Sequence, residues 1–380
     1  MSELSAREMA RYDRHLLLPE IGLEGQLKLK SASVLVVGAG GLGCPALQYL
    51  ASAGVGRIVI CDDDKVELSN LQRQILHRTE DIGINKAQNA REKLLALNPE
   101  IQVEAHELKL SVKNALNLVG SVDVVLDASD NFSTRYLLSD ACVLQKKPLV
   151  SASIYRFEGQ LSVFCDPRSN GPCYRCLFEK EPPKELAPNC AQAGVLGVLP
   201  GILGTLQAME ALKWILQIGE CAVSRLVLVD TLRLKQTELK FKHRKDCRCL
   251  KANFSIQEDK ASQSEVETST IKEITSVELL KLLKQDTSGV QLLDVREDEE
   301  RVALRIEPSF HIPLSKVSRT TTEQSGFDMT QEIYIYCRSG KRSLQACEIL
   351  IKEGLNSVVN LRGGILDYCS VTEEGIKSKP

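Results

Sequence analysis

The run Gly38-Ala39-Gly40-Gly41-Leu42-Gly43 follows the apolar stretch Val34–Val37, and Pro45 comes two residues later. Glycine lets a backbone approach a ligand closely, and the first NH groups of a helix have no partners of their own, so such a turn can hold phosphate. Proline suits the first helical turn because no needed NH is lost there. Asp62 closes the next apolar stretch, nineteen residues after Gly43, where a carboxylate can accept from a ribose hydroxyl. Taken alone, this set suits a dinucleotide dehydrogenase as well as an ATP-using enzyme. The cations nearby favour the more highly charged ligand. Arg73, in Ser69-Asn70-Leu71-Gln72-Arg73-Gln74, and Lys86 can neutralise a triphosphate. Another apolar stretch, Val122–Leu126, ends in Asp127-Ala128-Ser129-Asp130-Asn131, and a carboxylate at the C-terminal end of a strand can hold Mg²⁺ beside phosphates.

A second chemistry is written in the cysteines. The stretch Glu332–Tyr336 runs into Cys337-Arg338-Ser339-Gly340-Lys341-Arg342-Ser343, before a helical pattern. Backbone NH groups, a helix N-terminus and cationic neighbours all favour a sulfur anion at Cys337. Two enzyme classes use this geometry. Cysteine phosphatases require arginine six positions after the nucleophile, but position 343 is Ser and Arg342 comes one place too early. The other class carries sulfur on the cysteine. Elsewhere, Cys173 and Cys176 form a C-x-x-C pair after Gly171-Pro172, a spacing that suits tetrahedral zinc.

The elements that must position these residues follow from periodicity. Ser33–Val37, Arg57–Cys61, Val122–Leu126, Leu149–Ile154 and Gln160–Cys165 read as strands, the last antiparallel. Asn85–Leu97 has apolar residues at helical spacing and stops at Asn98-Pro99. Alternation of this kind implies a largely parallel sheet covered by helices. Residues 251–270 are polar and read as a flexible linker. A smaller α/β pattern then restarts, with helix Ser276–Lys284, strands Val290–Val295 and Ile333–Tyr336, helix Ser343–Glu353 and strand Ser357–Leu361. The expected domains are therefore 1–250 and 271–380.

The chain has 380 residues, 43% hydrophobic and 26% charged, with a net charge of −2, ordinary values for globular protein. That charge argues against a general nucleic-acid or membrane-surface binder. Met1–Arg11 lacks the apolar run of a secretory signal, and Val195–Ile218 is interrupted by Gln207, Glu210 and Lys213, which suits a buried helix better than a membrane span. A cytoplasmic protein is expected. Thirteen cysteines without a signal point to metal and thiol chemistry rather than disulfides. Cys44, Cys61, Cys142 and Cys165 lie in apolar surroundings and read as core residues.

Together, Arg11-Tyr12-Asp13-Arg14-His15, Gly38–Gly43, Ser69–Gln74, Asp130-Asn131 and Cys173-Tyr174-Arg175-Cys176-Leu177 resemble the MoeB/ThiF adenylyltransferases, bacterial relatives of ubiquitin-activating enzymes, over residues 5–250. The resemblance implies a Rossmann-like, mostly parallel sheet with an antiparallel extension. It also implies an enzyme that binds ATP·Mg²⁺ and the C-terminal Gly-Gly of a small ubiquitin-like sulfur carrier, and that adenylates the carrier's carboxylate. By motif match, Gly41, Asp62, Ser69, Asn70, Arg73, Lys86, Asp130 and Asn131 form the ATP site, with Asp130 the Mg²⁺ ligand. Arg14 matches an arginine that reaches the site from the second subunit of a homodimer. Cys247 and Cys249 are then expected to supply the second half of a Zn²⁺ site, with a degenerate three-cysteine site or a metal-free remnant as the alternatives. The family has C-x-x-C there, so the C-x-C here is a departure, and the shorter spacing makes Cys249 the weaker expected ligand. Cys190 matches a loop cysteine that bonds transiently to the carrier.

The loop Cys337–Arg342, with Leu292-Leu293-Asp294-Val295-Arg296-Glu297, His311-Ile312-Pro313-Leu314 and Leu361-Arg362-Gly363-Gly364-Ile365, resembles the rhodanese domains over residues 270–370. That implies a small α/β domain carrying sulfane sulfur as a persulfide on Cys337, loaded by a donor such as a cysteine desulfurase. The two resemblances explain each other: an acyl-adenylate is an electrophile and a persulfide a sulfur nucleophile. The expected product is a thiocarboxylate, with the small subunit of molybdopterin synthase as first choice of carrier. Carriers for thiamine, cysteine or tRNA thiolation are the alternatives, and a non-catalytic ubiquitin-like-protein scaffold is the alternative of another class.

Overall fold

Strand β1 (Ser33–Val37) carries apolar side chains on both faces, and so needs cover on both. In the computed structural model, which describes residues 3–181, 194–251, 254–256, 271–285 and 289–371, both faces are covered. Val34 and Val36 pack with Leu47 and Leu50 of the helix Gly43–Ala53. Leu35 and Val37 pack with Leu118 of the helix Val112–Gly120 and Leu138 of the helix Phe132–Gln145. Each such buried side chain contributes roughly 1.5–3 kcal/mol. The chain divides into two units, Met1–Glu258 and Asp259–Pro380.

The first unit holds an eight-stranded sheet. With β2 (Arg57–Cys61), β3 (Gln102–His106), β4 (Val124–Asp127), β5 (Leu149–Tyr155), β6 (Glu158–Phe164), β7 (Arg225–Asp230) and β8 (Lys235–Lys240), the order is β3-β2-β1-β4-β5-β6-β7-β8. The pairs from β3 to β5 are parallel, and those from β5 to β8 antiparallel. The long helix Val198–Leu216 buries Gln207 and Glu210 along with its apolar residues. Among the described residues, no helix is long and apolar enough to cross a membrane.

The second unit holds a parallel sheet of β9 (Lys272–Ile274), β10 (Gln291–Asp294), β11 (Phe310–His311), β12 (Ile333–Tyr336) and β13 (Val358–Leu361), in the order β11-β10-β12-β13-β9. Apolar clusters cover its two faces, one built around Leu293, Ile335 and Leu350, the other around Leu279, Tyr336 and Leu361.

Several boundaries differ from the sequence reading, each for a local reason. The fourth strand is Val124–Asp127 rather than Val122–Leu126. The Asp123 side chain instead accepts from the Ser33 backbone NH and hydroxyl, which ties off the strand's start. The sixth is Glu158–Phe164, because Cys165 takes a left-handed backbone (φ 56°) that ends it. The helix expected from Ser343 begins at Lys341, preceded by Gly340 at φ 88°. The expected linker, 251–270, lies mostly outside the described residues. Cys44, Cys61, Cys142 and Cys165 are buried as expected, and burial pushes the thiols of Cys44 and Cys61 up to about 12.

Candidate functional site

The strand order reverses its direction of growth at β1 and β4, which opens a crevice at their C-terminal ends. The glycine turn lies there. Gly38 has φ 98°, and a Cβ on it would fall 2.6 Å from the Ala128 carbonyl oxygen, so only glycine lets the loops after β1 and β4 come this close. A Cβ on Gly43 would meet the Gly38 carbonyl oxygen at 1.9 Å. A Cβ on Gly41 would lie 3.1 Å from Pro200 and 3.5 Å from Arg73 Cγ, which places Arg73 on the turn itself.

The turn is held from behind. Asp62 Oδ2 accepts from Ala39 N (2.7 Å), and Oδ1 accepts from Asp64 N (2.9 Å). Burial pushes the Asp62 carboxyl up, against the pull of Lys86. Asn89 Nδ2 donates to His77 Nδ1 (2.8 Å), leaving Nε2–H to donate to the Ala39 carbonyl (2.9 Å). Burial holds His77 below its ordinary value, so the imidazole is neutral. His77 and its partner were not marked from sequence; a polar residue buried beside a glycine turn has no local signature.

Lys86 opens the helix Lys86–Leu97 behind the cap Asn85. A cation at a helix N-terminus opposes the helix dipole, and Lys86 is only 6% exposed. Its Nζ donates to Asp64 (2.8 Å). Arg73 Nη1 donates to the Ser69 carbonyl (3.0 Å) and forms no ion pair among the described residues. Asn70 is buried, and its Nδ2 donates to Ser69 Oγ (3.3 Å). After β4 the acidic residues divide. Asp127 is fully buried and accepts from Arg135, Ser129 and Ser151. Asp130 is exposed and forms no ion pair among the described residues. Asn131 caps the helix Phe132–Gln145, accepting from Thr134 N (2.9 Å). The fold thus brings the segments of Gly41, Asp62, Ser69, Asn70, Arg73, Lys86, Asp130 and Asn131 to one end of the sheet. The Arg14 side chain is 88% exposed, and its one ion-pair partner among the described residues is Asp13 (3.9 Å). Cys190 lies outside the described residues.

Cys173, Cys176, Cys247 and Cys249 converge, with Sγ separations of 3.8 Å (173–176), 3.5 Å (173–247) and 3.7 Å (176–249). Four sulfurs about 2.3 Å from a tetrahedral Zn²⁺ lie roughly 3.8 Å apart, so the donor set fits that ion. The shorter C-x-C spacing, expected to make Cys249 the weaker ligand, still brings its Sγ within the same distances as the other three. Cys247 precedes the short turn Arg248–Leu250, which folds Cys249 back toward Cys176. His243 was missed. Its Nε2 donates to the Asn170 carbonyl (2.7 Å), and its Nδ1 lies 3.6 Å from Cys176 Sγ and 3.8 Å from Cys249 Sγ. Its place four residues ahead of Cys247 was the available signal.

In the second unit β12 delivers Cys337 to a loop closed by the helix Lys341–Lys352. Cys337 is 1% exposed and accepts from Ser343 Oγ (3.4 Å). A Cβ on Gly364 would fall 2.5 Å from the Cys337 carbonyl oxygen, so Gly363-Gly364 closes against the loop. Arg342 makes a two-pronged ion pair with Glu300, both contacts at 2.7 Å. Arg296, held at 2.9 and 2.7 Å by the buried Asp294, donates to the Glu300 carbonyl (3.3 Å) and so supports the short helix Asp298–Ala303 that carries Glu300. Arg338 and Lys341 stay exposed. Glu300 left no signal in sequence, because its partner is 42 residues away.

The chain matches the ThiF family over residues 12–250 and the rhodanese-like domain over residues 275–370. It is 40% identical to the probable adenylyltransferase/sulfurtransferase MoeZ of Mycobacterium tuberculosis, across 97% of this chain and 94% of that protein. It is 40% identical to the adenylyltransferase and sulfurtransferase MOCS3 of Aedes aegypti, across 96% and 87%. The sulfur carrier protein adenylyltransferase of Thermus thermophilus is 52% identical across 63% of this chain and 90% of its own length. Among solved structures, PaaA superposes with a TM-score of 0.55 at 22% identity, covering 64% of this chain and 76% of its own. Escherichia coli MccB with ATP superposes at 0.53 and 23%, covering 64% and 74%. Those two likenesses are of fold.

Proposed function

The chain belongs to the ThiF family, with a rhodanese-like domain behind it, and from that premise we propose that it converts the C-terminal carboxylate of a small Gly-Gly sulfur carrier into a thiocarboxylate. It is an enzyme of the adenylyltransferase and sulfurtransferase type. What carries the fuller reading is the union in one chain of a cation-lined glycine turn and a cysteine loop at a helix N-terminus.

In the first step the carrier's carboxylate oxygen attacks the α-phosphorus of ATP. Pyrophosphate leaves and an acyl-adenylate remains. The turn Gly38–Gly43 receives the phosphates on backbone NH groups, and Arg73 and Lys86 offset their charge. Asp62 takes the ribose, Ser69 and Asn70 hold the Arg73 segment, and Asn131 fixes the start of its helix. Mg²⁺ enters with ATP, and Asp130, exposed and without an ion pair among the described residues, would hold it. Arg14 of a second copy completes the site. The four cysteines would hold Zn²⁺, which here supplies structure alone.

In the second step a persulfide on Cys337, loaded by a donor such as a cysteine desulfurase, attacks the acyl carbon through its outer sulfur. AMP leaves and an acyl disulfide forms. A thiol, Cys190 or an external one, then attacks the Cys337 sulfur. The thiocarboxylate leaves, and the resulting disulfide returns to thiols at the expense of a reductant. The small subunit of molybdopterin synthase is the first choice of carrier. The reaction is tested by incubating the protein with ATP, thiosulfate and a Gly-Gly carrier, then seeking by mass spectrometry the exchange of one carboxylate oxygen for sulfur. Cys337→Ala should abolish that product while ATP–pyrophosphate exchange continues. Undiminished thiocarboxylate from the variant would remove Cys337 from the reaction.

A further inference from the structure

Near Arg14, the side chains of Arg11, Tyr12 and His15 are tied down, whereas Arg14 pairs only with Asp13 among the described residues. Arg11 Nη1 donates to the Leu97 carbonyl (3.0 Å). Tyr12 is buried, and its hydroxyl accepts from Asn98 Nδ2 (2.9 Å). His15 stacks on the Tyr12 ring, with centroids 6.4 Å apart and planes 15° apart, and donates from Nδ1 to Gln26 Oε1 (3.0 Å). The same two amides reach one target. Asn98 Nδ2 also donates to the Ala51 carbonyl (2.7 Å), and Gln26 Nε2 to the Ala53 carbonyl (2.9 Å). Those are C-terminal carbonyls of the helix Gly43–Ala53, groups that a helix cannot satisfy from within. Gly54, at φ 83°, ends that helix, and a Cβ on it would lie 2.5 Å from Tyr12 Cζ. The N-terminal segment is therefore bolted to the rear of the helix whose front forms the glycine turn.

Stability alone does not require this arrangement to leave Arg14 exposed, with Asp13 at 3.9 Å its one ion-pair partner among the described residues. We infer that Tyr12, His15, Gln26 and Asn98 form a latch that fixes Arg14 in the position from which it serves the site of a second copy of this chain. They are positioning residues, and the effect of breaking the latch falls on the partner's site rather than on the chain's own. A guanidinium on a long side chain loses little by being presented from a rigid base, because less ordering remains to be done on arrival. The inference rests on the reading above in which Arg14 acts in trans.

The test uses full-length heterodimers purified through two different tags, with ATP–pyrophosphate exchange as the readout. One chain carries Arg14→Ala and the other Lys86→Ala. The Arg14→Ala chain keeps a whole nucleotide site and borrows Arg14 from its partner, so the pair should work at about half the wild-type rate. Adding Tyr12→Ala to the Lys86→Ala chain, which lends the arginine, should lower that rate by at least about tenfold. Adding it instead to the Arg14→Ala chain should leave the rate in place. His15→Ala, which leaves the buried Tyr12 ring in the core, is run in both placements, so that a Tyr12→Ala chain that fails to fold does not decide the matter. Equal loss in the two placements, or loss in neither, overturns the latch. If the parent pair shows no restored exchange, the trans role of Arg14 fails and takes the latch with it.

Discussion

Arg248 pairs with Asp140 across 108 residues of chain. Arg248 sits between the two cysteines of the second pair, Cys247 and Cys249. The same carboxylate accepts from Arg175 (2.9 and 3.0 Å), which sits between Cys173 and Cys176. One buried acidic residue on the helix Phe132–Gln145 thus gathers both cysteine pairs against a single support.

Removing that support should be felt at the metal. Asp140→Ala removes the buried carboxylate that Arg175 and Arg248 share. It should lower stability by about 3 kcal/mol. A denaturant titration measures the loss, and a coloured chelator should strip zinc from the variant several-fold faster than from the parent. Unchanged release would mean that the cysteines hold their geometry unaided.

The separations around Cys249 make a sharper claim than its spacing did. Cys249→Ser should lower bound zinc and alter the thiolate-to-metal absorption of the Co²⁺-loaded protein, because one sulfur donor of four is lost. A spectrum identical to that of the parent would show Cys249 to be a bystander.

Lys86 occupies a helix N-terminus where its charge is unfavourable. Lys86→Ala loses the pair with the largely exposed Asp64 but relieves the dipole, so stability is expected to fall by no more than about 1 kcal/mol, whereas ATP–pyrophosphate exchange should fall by about 100-fold or more. Thermal unfolding and exchange kinetics on one preparation separate the two effects. A large loss of stability together with exchange would reduce Lys86 to a structural residue.

His77 sets a pH dependence. Burial lowers its folded value from the ordinary 6.5, so the unfolded chain takes up the proton more readily. Stability from this group is complete above about pH 6.5 and declines as pH falls toward the lowered folded value. Urea midpoints at pH 7.5 and 5.5 should therefore differ in the wild type, and differ less in His77→Gln. Equal slopes in both proteins would show that His77 does not titrate in that window.

The parts of this protein that could be read in advance are those whose cause is local. The strand Ser33–Val37, the glycine turn after it and the strand Ile333–Tyr336 before Cys337 are contiguous, apolar or glycine-rich, and appear where periodicity places them. The edge strands were harder. β8, Lys235–Lys240, has every residue exposed, so no buried face marks it in sequence. The N-terminal helices Ala6–Arg11 and Asp13–Leu16 are short, and the second buries nothing.

By itself, then, the sequence determined the chemical inventory: glycines where a phosphate needs bare backbone, two cations and an acidic pair for a nucleotide, cysteine pairs for a metal and Cys337 before a helix. Types and short spacings suffice for that, because each depends on neighbours within a few residues. Only the tertiary structure decided which groups are committed and which are free. Asp127 and Asp130 are three residues apart, yet one is buried against Arg135 and the other faces solvent. Cys249 joined the cluster through a turn, and Arg14 was left exposed by neighbours tied to residues 11 and 86 positions away. Those assignments rest on burial and on partners distant in sequence, which folding sets and spacing does not record.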